Sequence, residues 1–323
     1  MKHIAVIGAG QLGSRHLQGL VKYLEKLKIF VVDPSLDSLK VAEEREKQIV
    51  NDHEVIYTQD WDTLPDFLDL VIVATSANIR ENIINRLVSN HKVSFLILEK
   101  VLFQELDAYE RVGKLLVEYN VKTYVNHPRR MFESYRNLKQ VLKNENQNIF
   151  NVVGGNWGFG CNALHFLDLF IYLSEEKLAE FTTAYIDNEL LDSNRKGFIE
   201  FTGTITGKLA GGSLFSISSF EGQSSSITVT ISNGQERFII QEGGTPKMYE
   251  LSQKKSFEMM THDFNVEYQS ALTFKLLSEL FEDDFCSLPT YDEAKHTHEL
   301  FITGMLQKFN TIKQLESTIL PIT

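Results

Sequence analysis

Cysteine is nearly absent. The two residues present in 323, Cys161 and Cys286, cannot build a disulfide framework, so a reducing, cytoplasmic setting is expected. Positive charge is in deficit: 43 Asp and Glu face 32 Lys and Arg, a net −11. That balance excludes the basic footprint of non-specific binding to nucleic acid or anionic lipid. Long hydrophobic runs are missing too. The charge-free apolar run Leu70 to Ile79 is about half of the roughly 20 apolar residues that a membrane span needs. The N-terminus, Met1 to Gly8, runs straight into a strand pattern with no cleavable signal. No cluster has zinc-site spacing, and His296 and His298 diverge on a helix, so no metal is expected. There is no internal repeat and no low-complexity linker. Against these absences, 43% hydrophobic and 23% charged residues make an ordinary globular chain, long enough for two domains.

The first 126 residues alternate short apolar runs with helical spacing. Strands are expected at Ile4 to Ile7, Ile29 to Asp33, Val55 to Tyr57, Leu70 to Ala74, Ser94 to Leu98 and Thr123 to Asn126. Leu17, Leu20, Val21 and Leu24 form one helical stripe, Ile79, Ile83, Ile84, Leu87 and Val88 a second, and Leu106, Tyr109, Gly113 and Leu116 a third. Near-continuous apolar strands separated by amphipathic helices indicate a parallel sheet covered on both faces, and six strands make a full doubly wound dinucleotide fold. From 127 to 323 the pattern is that of a second, α+β domain. A helix is expected over Cys161 to Leu173, followed by Thr- and Ser-rich alternation. Asn233-Gly234 between alternating runs signals a hairpin. This domain is therefore expected to hold an open, mostly antiparallel sheet with helices to one side. Thr290 and Glu293 have capping-box spacing before a helix of about 291–309. The run Glu43 to Lys47 reads as a solvated helix face.

Gly8-Ala9-Gly10-Gln11-Leu12-Gly13 is a G-x-G-x-x-G that follows a strand and opens a helix. In that context the first glycine makes the tight turn and the second lets backbone approach a pyrophosphate. The third lets helix and strand pack closely. The helix N-terminus then offers N–H groups to phosphate, so Gly8, Gly10, Gln11, Leu12 and Gly13 are candidate cofactor contacts. Asp33, 20 residues after Gly13, stands where a carboxylate grips the adenosine ribose and repels the 2′-phosphate of NADP. NAD is thus favoured over NADP. The other reading of Asp33 is a turn residue before Pro34.

Several polar residues end apolar strands on the side where a ligand crevice forms. Thr75, Ser76 and Asn78 are candidates for the nicotinamide ribose, with helix N-capping as the other reading of Ser76 and Asn78. Glu99 and Lys100 close a fully apolar strand, where Lys100 would place an ammonium near a reacting carbon and Glu99 would sit at the cofactor. Asn162, His165 and Asp168 make one polar stripe on an otherwise apolar helix. His165 suits proton transfer in alcohol–carbonyl interconversion; a hydrogen-bonded core histidine is the other reading. Arg129 and Arg130 read either as a clamp on a substrate anion or as an interdomain salt bridge.

Together the glycine loop, the Glu99-Lys100 strand end, the segment Asn126 to Phe132 and the His165 helix resemble the glucose–fructose oxidoreductase / inositol dehydrogenase / MocA (Gfo/Idh/MocA) family. The likeness spans nearly the whole chain and extends to members encoded among bacterial surface-polysaccharide genes. It implies an NAD-dependent dehydrogenase or reductase acting on a CH–OH carbon of a sugar or nucleotide-sugar, with Lys100 and His165 catalytic. Arg129, Arg130, Asn162 and Asp168 are then candidate substrate contacts. It also implies a homo-oligomer formed through the second-domain sheet. Two departures stand out: Val101 replaces the proline after the lysine, and Cys161 replaces an aspartate four residues before the histidine. Asn162 or Asp168 would then orient the imidazole. Two rival readings are a redox-neutral sugar enzyme with tightly held NAD and a catalytically silent NAD-binding sensor or scaffold.

Overall fold

A computed structural model describes residues 1–142, 147–222, 224–283 and 285–323. Along the first part of the chain run β1 (Lys2–Ile7), α1 (Gln11–Leu20), β2 (Leu27–Val32), α2 (Leu36–Glu46), β3 (Glu54–Thr58), β4 (Phe67–Val73), α3 (Ala77–Asn90), β5 (Lys92–Leu98), α4 (Leu106–Glu118) and β6 (Lys122–Val125). The six strands form one sheet in the order β3-β2-β1-β4-β5-β6, and every pair is parallel. This is the doubly wound order expected from the alternation, with its switch point between β1 and β4. Ile4, Val6, Ile29, Val31, Leu70, Ile72 and Leu96 are all fully buried. Strands with no polar face are stable only when helices cover both sides.

The second part holds α5 (Glu133–Leu142), β7 (Ile149–Gly155), α6 (Phe159–Ser174), β8 (Leu178–Ile186), β9 (Leu191–Asp192), β10 (Ile199–Glu200), β11 (Gly203–Leu209), β12 (Leu214–Phe220), β13 (Ser225–Ser232), β14 (Glu236–Gln241), β15 (Lys247–Ser252) and β16 (Met259–Asp263). Eight of these strands form a sheet ordered β16-β15-β14-β13-β7-β12-β11-β8, while β9 and β10 pair separately. All neighbours in the large sheet are antiparallel except β7 and β12. Asn233-Gly234 lies in the β13–β14 turn, as its spacing requires. Helix α6 covers the apolar face: Phe170 stacks on Phe150 with centroids 4.5 Å apart, while Val152, Phe215 and Ile217 are buried beside them. Ile149, Val153, Leu214 and Phe220 on the opposite face are exposed, and the β7–β12 register places them together.

The chain closes with α7 (Gln269–Phe281) and α8 (Tyr291–Lys313). Thr290 and Glu293 form the expected capping box: Glu293 Oε2 accepts from the Thr290 N–H at 2.7 Å and Thr290 Oγ1 accepts from the Glu293 N–H at 3.3 Å. The domain division differs from the one read from sequence. One compact unit comprises Met1–Phe103, Asp107–Pro128 and Glu267–Ala294, the other Gln104–Leu106, Arg129–Val266 and Lys295–Thr323. Residues 267–294 therefore leave the expected 127–323 domain and return to the first unit. The reason is packing: a side chain at Gly19 of α1 would lie 2.5 Å from Thr273 Cβ and 2.7 Å from Ser270 O, so α7 rests against bare α1 backbone. Among the described residues, no helix is long and apolar enough to cross a membrane.

Candidate cofactor site and the polar residues of the second unit

The glycine loop has the three properties its spacing predicts. Gly8 adopts φ +97°, open to glycine and strained for other residues. A Cβ on Gly13 would lie 1.8 Å from Gly8 O, so α1 can start here only if that position is bare. A Cβ on Gly10 would meet nothing within 4 Å. Space therefore opens above the loop at Gly10, the glycine where the spacing calls for close approach of a ligand. Gly10 caps α1 without a side-chain hydrogen bond, which leaves the first-turn N–H groups of Gln11, Leu12 and Gly13 for an anion. Asp33 anchors the loop from β2: its Oδ2 accepts from the Ala9 N–H at 2.7 Å and its Oδ1 from the Ser35 N–H at 2.8 Å. Each oxygen keeps a lone pair for a ribose hydroxyl.

The neighbouring strand ends complete this edge. Thr75 follows β4, and among the described residues its buried Oγ1 has no hydrogen-bond partner. A buried hydroxyl left this way fits a ligand that supplies the missing bond. Ser76 occupies the N-cap position of α3, but its hydroxyl donates to Asn78 Oδ1 at 2.7 Å instead of accepting from the helix. Arg80, 1% exposed, turns inward from α3 and donates to the carbonyls of Thr75, Val101 and Leu102. One guanidinium thus ties the loop after β4 to the loop after β5. Lys100, half-buried, leads into the latter through a cis peptide bond to Val101.

Glu99 has internal partners. It is 4% exposed and held inside the unit: Oε1 accepts from His16 Nε2 at 2.9 Å and from Asn126 Nδ2 at 2.6 Å. Both donors reach Oε1, as a buried carboxylate oxygen requires. His16 has no exposure either, and its Nδ1 meets Thr273 Oγ1 of α7 at 2.9 Å. The sequence reading missed His16, Arg80, Gln269 and Thr273. Only His16 left a signal, a polar residue on the Gly13, Leu17, Leu20 stripe. Glu43 to Lys47 is also not uniformly solvated, since Arg45 turns back to Gln11 O at 3.2 Å and to Ser14 Oγ.

In the second unit, all four expected substrate contacts have protein partners. Arg130 grips Asp168 with two hydrogen bonds of 2.9 and 2.7 Å, and Arg129 grips Glu242, with Nε 2.9 Å from Oε1. Both pairings lie within the second unit. Burial pushes the Asp168 carboxyl up, against the pull of Arg130 and His298. Burial would depress Arg129, but Glu242 more than offsets it and the guanidinium ends raised. Burial and Glu242 together hold the Tyr135 phenol well above its ordinary value; its hydroxyl donates to Glu242 Oε1 at 2.6 Å. Asn162 donates to the Trp157 carbonyl at 2.8 Å. On this stripe His165 remains half-buried, one turn after Cys161. Such ion pairs fix α6 and the segment after β6 more than they recognise a ligand.

A glycine cradle open at Gly10, a β2 carboxylate on its rim and an unsatisfied hydroxyl at the next strand end define a dinucleotide-binding Rossmann domain. Residues 2–127 match the Gfo/Idh/MocA family, described as an oxidoreductase family with an NAD-binding Rossmann fold. Solved structures share the fold along nearly the whole chain. An oxidoreductase from Agrobacterium radiobacter, in complex with NAD+, L-tartaric acid and magnesium, is 14% identical over 96% of this chain and 97% of its own, with TM-score 0.73. UDP-N-acetylglucosamine 3-dehydrogenase GnnA from Acidithiobacillus ferrooxidans is 12% identical over 94% and 97%, with TM-score 0.72. A super-repressor mutant of Gal80p from Saccharomyces cerevisiae is 14% identical over 96% of each chain, with TM-score 0.76. No curated protein sequence matches the chain.

Proposed function

We propose that this protein is an NAD-dependent oxidoreductase that interconverts a secondary alcohol and a ketone on a sugar or nucleotide-sugar. The observation that carries the proposal is the end of β5. Glu99 turns inward to His16 and Asn126, so the residue left at the carboxyl edge of the sheet is the half-buried Lys100. That edge is where open α/β sheets bind ligands. The similarity in fold to a UDP-N-acetylglucosamine 3-dehydrogenase supports a nucleotide-sugar as the substrate class.

The loop Gly8 to Gly13 would hold the pyrophosphate, Asp33 the adenosine ribose, and Thr75 with Ser76 and Asn78 the nicotinamide side. Bound NAD supplies the hydride acceptor or donor. The ammonium of Lys100 steadies negative charge on the substrate oxygen as the C–H bond breaks. His165 takes the hydroxyl proton in the oxidative direction and returns it in the reductive one. The apolar sheet face bearing Ile149, Val153, Leu214 and Phe220 supports self-association through the second unit.

Kinetics with UDP-N-acetylglucosamine and related sugars test the assignment. Lys100→Met and His165→Asn should each lower turnover by about 10²- to 10⁴-fold while NADH affinity changes little. The double variant should lose less than the product of the two. A second reading, an NAD-binding regulator without turnover, draws on Cys161 at the position where family resemblance places an aspartate. Tight NADH binding with no turnover on any sugar would establish that alternative.

A further inference from the structure

We infer that His16, Asn126 and the α7 residues Gln269 and Thr273 are positioning residues for Lys100, acting through the Glu99 carboxylate; the inference rests on the assignment of Lys100 above. These groups form one hydrogen-bonded chain inside the first unit. Asn126 spends both amide hydrogens, one on Glu99 Oε1 at 2.6 Å and one on Gln269 Oε1 at 3.0 Å. This fixes the orientation of the Gln269 amide, whose Nε2 then donates to Thr273 Oγ1 at 3.1 Å. Glu99 accepts only, so the His16 Nε2 that lies 2.9 Å away carries a hydrogen. The Thr273 hydroxyl has a single hydrogen and two places for it, Gln269 O at 2.9 Å and His16 Nδ1 at 2.9 Å. Glu99 Oε1 takes two donors, and His16, Glu99 and Asn126 are 0%, 4% and 2% exposed. Bonds this deeply buried hold their members in one arrangement, because a shift strands a polar group away from water.

The elements it joins matter more than the bonds. His16 lies on α1, which opens the glycine loop; Glu99 and Asn126 end β5 and β6; Gln269 and Thr273 come from α7, about 170 residues after Glu99 in sequence. Thus the helix that presents N–H groups to the cofactor and the strand end that presents Lys100 are registered against each other by side chains of α7. On the opposite side, Arg80 fixes the carbonyls of Val101 and Leu102. Lys100 is flanked by two buried anchors, and neither needs to touch substrate.

The test places the probe on Lys100 itself. Full-length protein carrying 13C at the lysine Cε positions gives a Lys100 resonance, assigned by its loss in Lys100→Met. Thr273→Val keeps the volume of the side chain and removes the hydroxyl, while Thr273→Ser keeps the hydroxyl. The Lys100 resonance should move in Thr273→Val and in Glu99→Gln, and stay near its original place in Thr273→Ser. Turnover with UDP-N-acetylglucosamine should fall about 10- to 100-fold in Thr273→Val, mostly in kcat, with NADH affinity within a factor of about 2. Thr273→Ser should recover most of it. A Lys100 resonance unmoved in both Thr273→Val and Glu99→Gln, in folded protein, overturns the inference. The resonance reports with or without turnover, so an inactive protein whose Lys100 signal still responds to Thr273 would refute the enzyme assignment and leave the positioning role standing.

Discussion

Gly10 and Gly13 are three residues apart and should respond to substitution in opposite ways. At Gly10 the space is empty and the backbone is extended at φ −63° and ψ −164°, so Gly10→Val should fold. Its side chain would occupy the place of the pyrophosphate, and NADH affinity should fall at least about 100-fold with the circular dichroism spectrum unchanged. At Gly13 even a methyl group meets Gly8 O at 1.8 Å. Gly13→Ala should therefore cost about 1–3 kcal/mol or more in urea melts, because backbone has to move. Asp33 carries a separate expectation. NAD(H) should bind at least about tenfold tighter than NADP(H), about 1.4 kcal/mol, in titrations of the purified protein. Asp33→Asn is the informative change: it keeps an acceptor for the Ala9 N–H and removes the charge that repels a 2′-phosphate, so the gap should narrow. These roles were legible as spacing alone. The orphaned Thr75 hydroxyl and the inward turn of Glu99 were not, because a strand end in sequence does not say which of two adjacent polar residues faces out.

Between elements, α1 packs directly on α7 within the first unit. Gly19 makes this packing possible, since a Cβ there would lie 2.5 Å from Thr273 Cβ. Gly19→Val should separate the helices and destabilise by about 1–3 kcal/mol, read from denaturant midpoints, and should disturb His16 as well. Just past the ends of the same two helices, the Tyr23 hydroxyl donates to Glu282 at 3.1 Å. Burial first, and Glu282 second, push the Tyr23 phenol up from 10.0 to about 12. The folded state therefore keeps a proton that the unfolded chain loses. Stability from this pair should be intact below pH 10 and lost as pH rises to about 12. The wild-type melting temperature should drop more steeply across that window than that of Tyr23→Phe. Helix α7 itself was not assigned from the sequence, and its partner could not be read. Glycine on a helix marks a close approach without naming what approaches.

At the scale of the molecule, the first unit is not a continuous stretch of chain, and that has a consequence for dissection. A fragment of residues 1–128 lacks Glu267–Ala294 and with it Thr273 and Gln269, partners of His16 and Asn126. It should expose the α1 face, melt broadly and bind NADH poorly, whereas 1–128 joined by a flexible linker to 267–294 should melt cooperatively and bind. Thermal melts and NADH titrations of the two fragments check this. The sequence by itself determined the alternation of strand and helix, the parallel sheet, the glycine cradle with Asp33, the hairpin at Asn233-Gly234 and the capping box at Thr290. Each is set by neighbours a few residues apart: side-chain period, turn conformation or helix-end hydrogen bonds. Tertiary structure alone decided that α7 returns to the first unit, that Glu99 faces His16, and that Arg129 and Arg130 are spent on Glu242 and Asp168. Those outcomes depend on which buried charge finds which donor across 38 to 113 positions of chain. A carboxylate that leaves water must take the nearest donors the fold supplies, and only the fold says which they are.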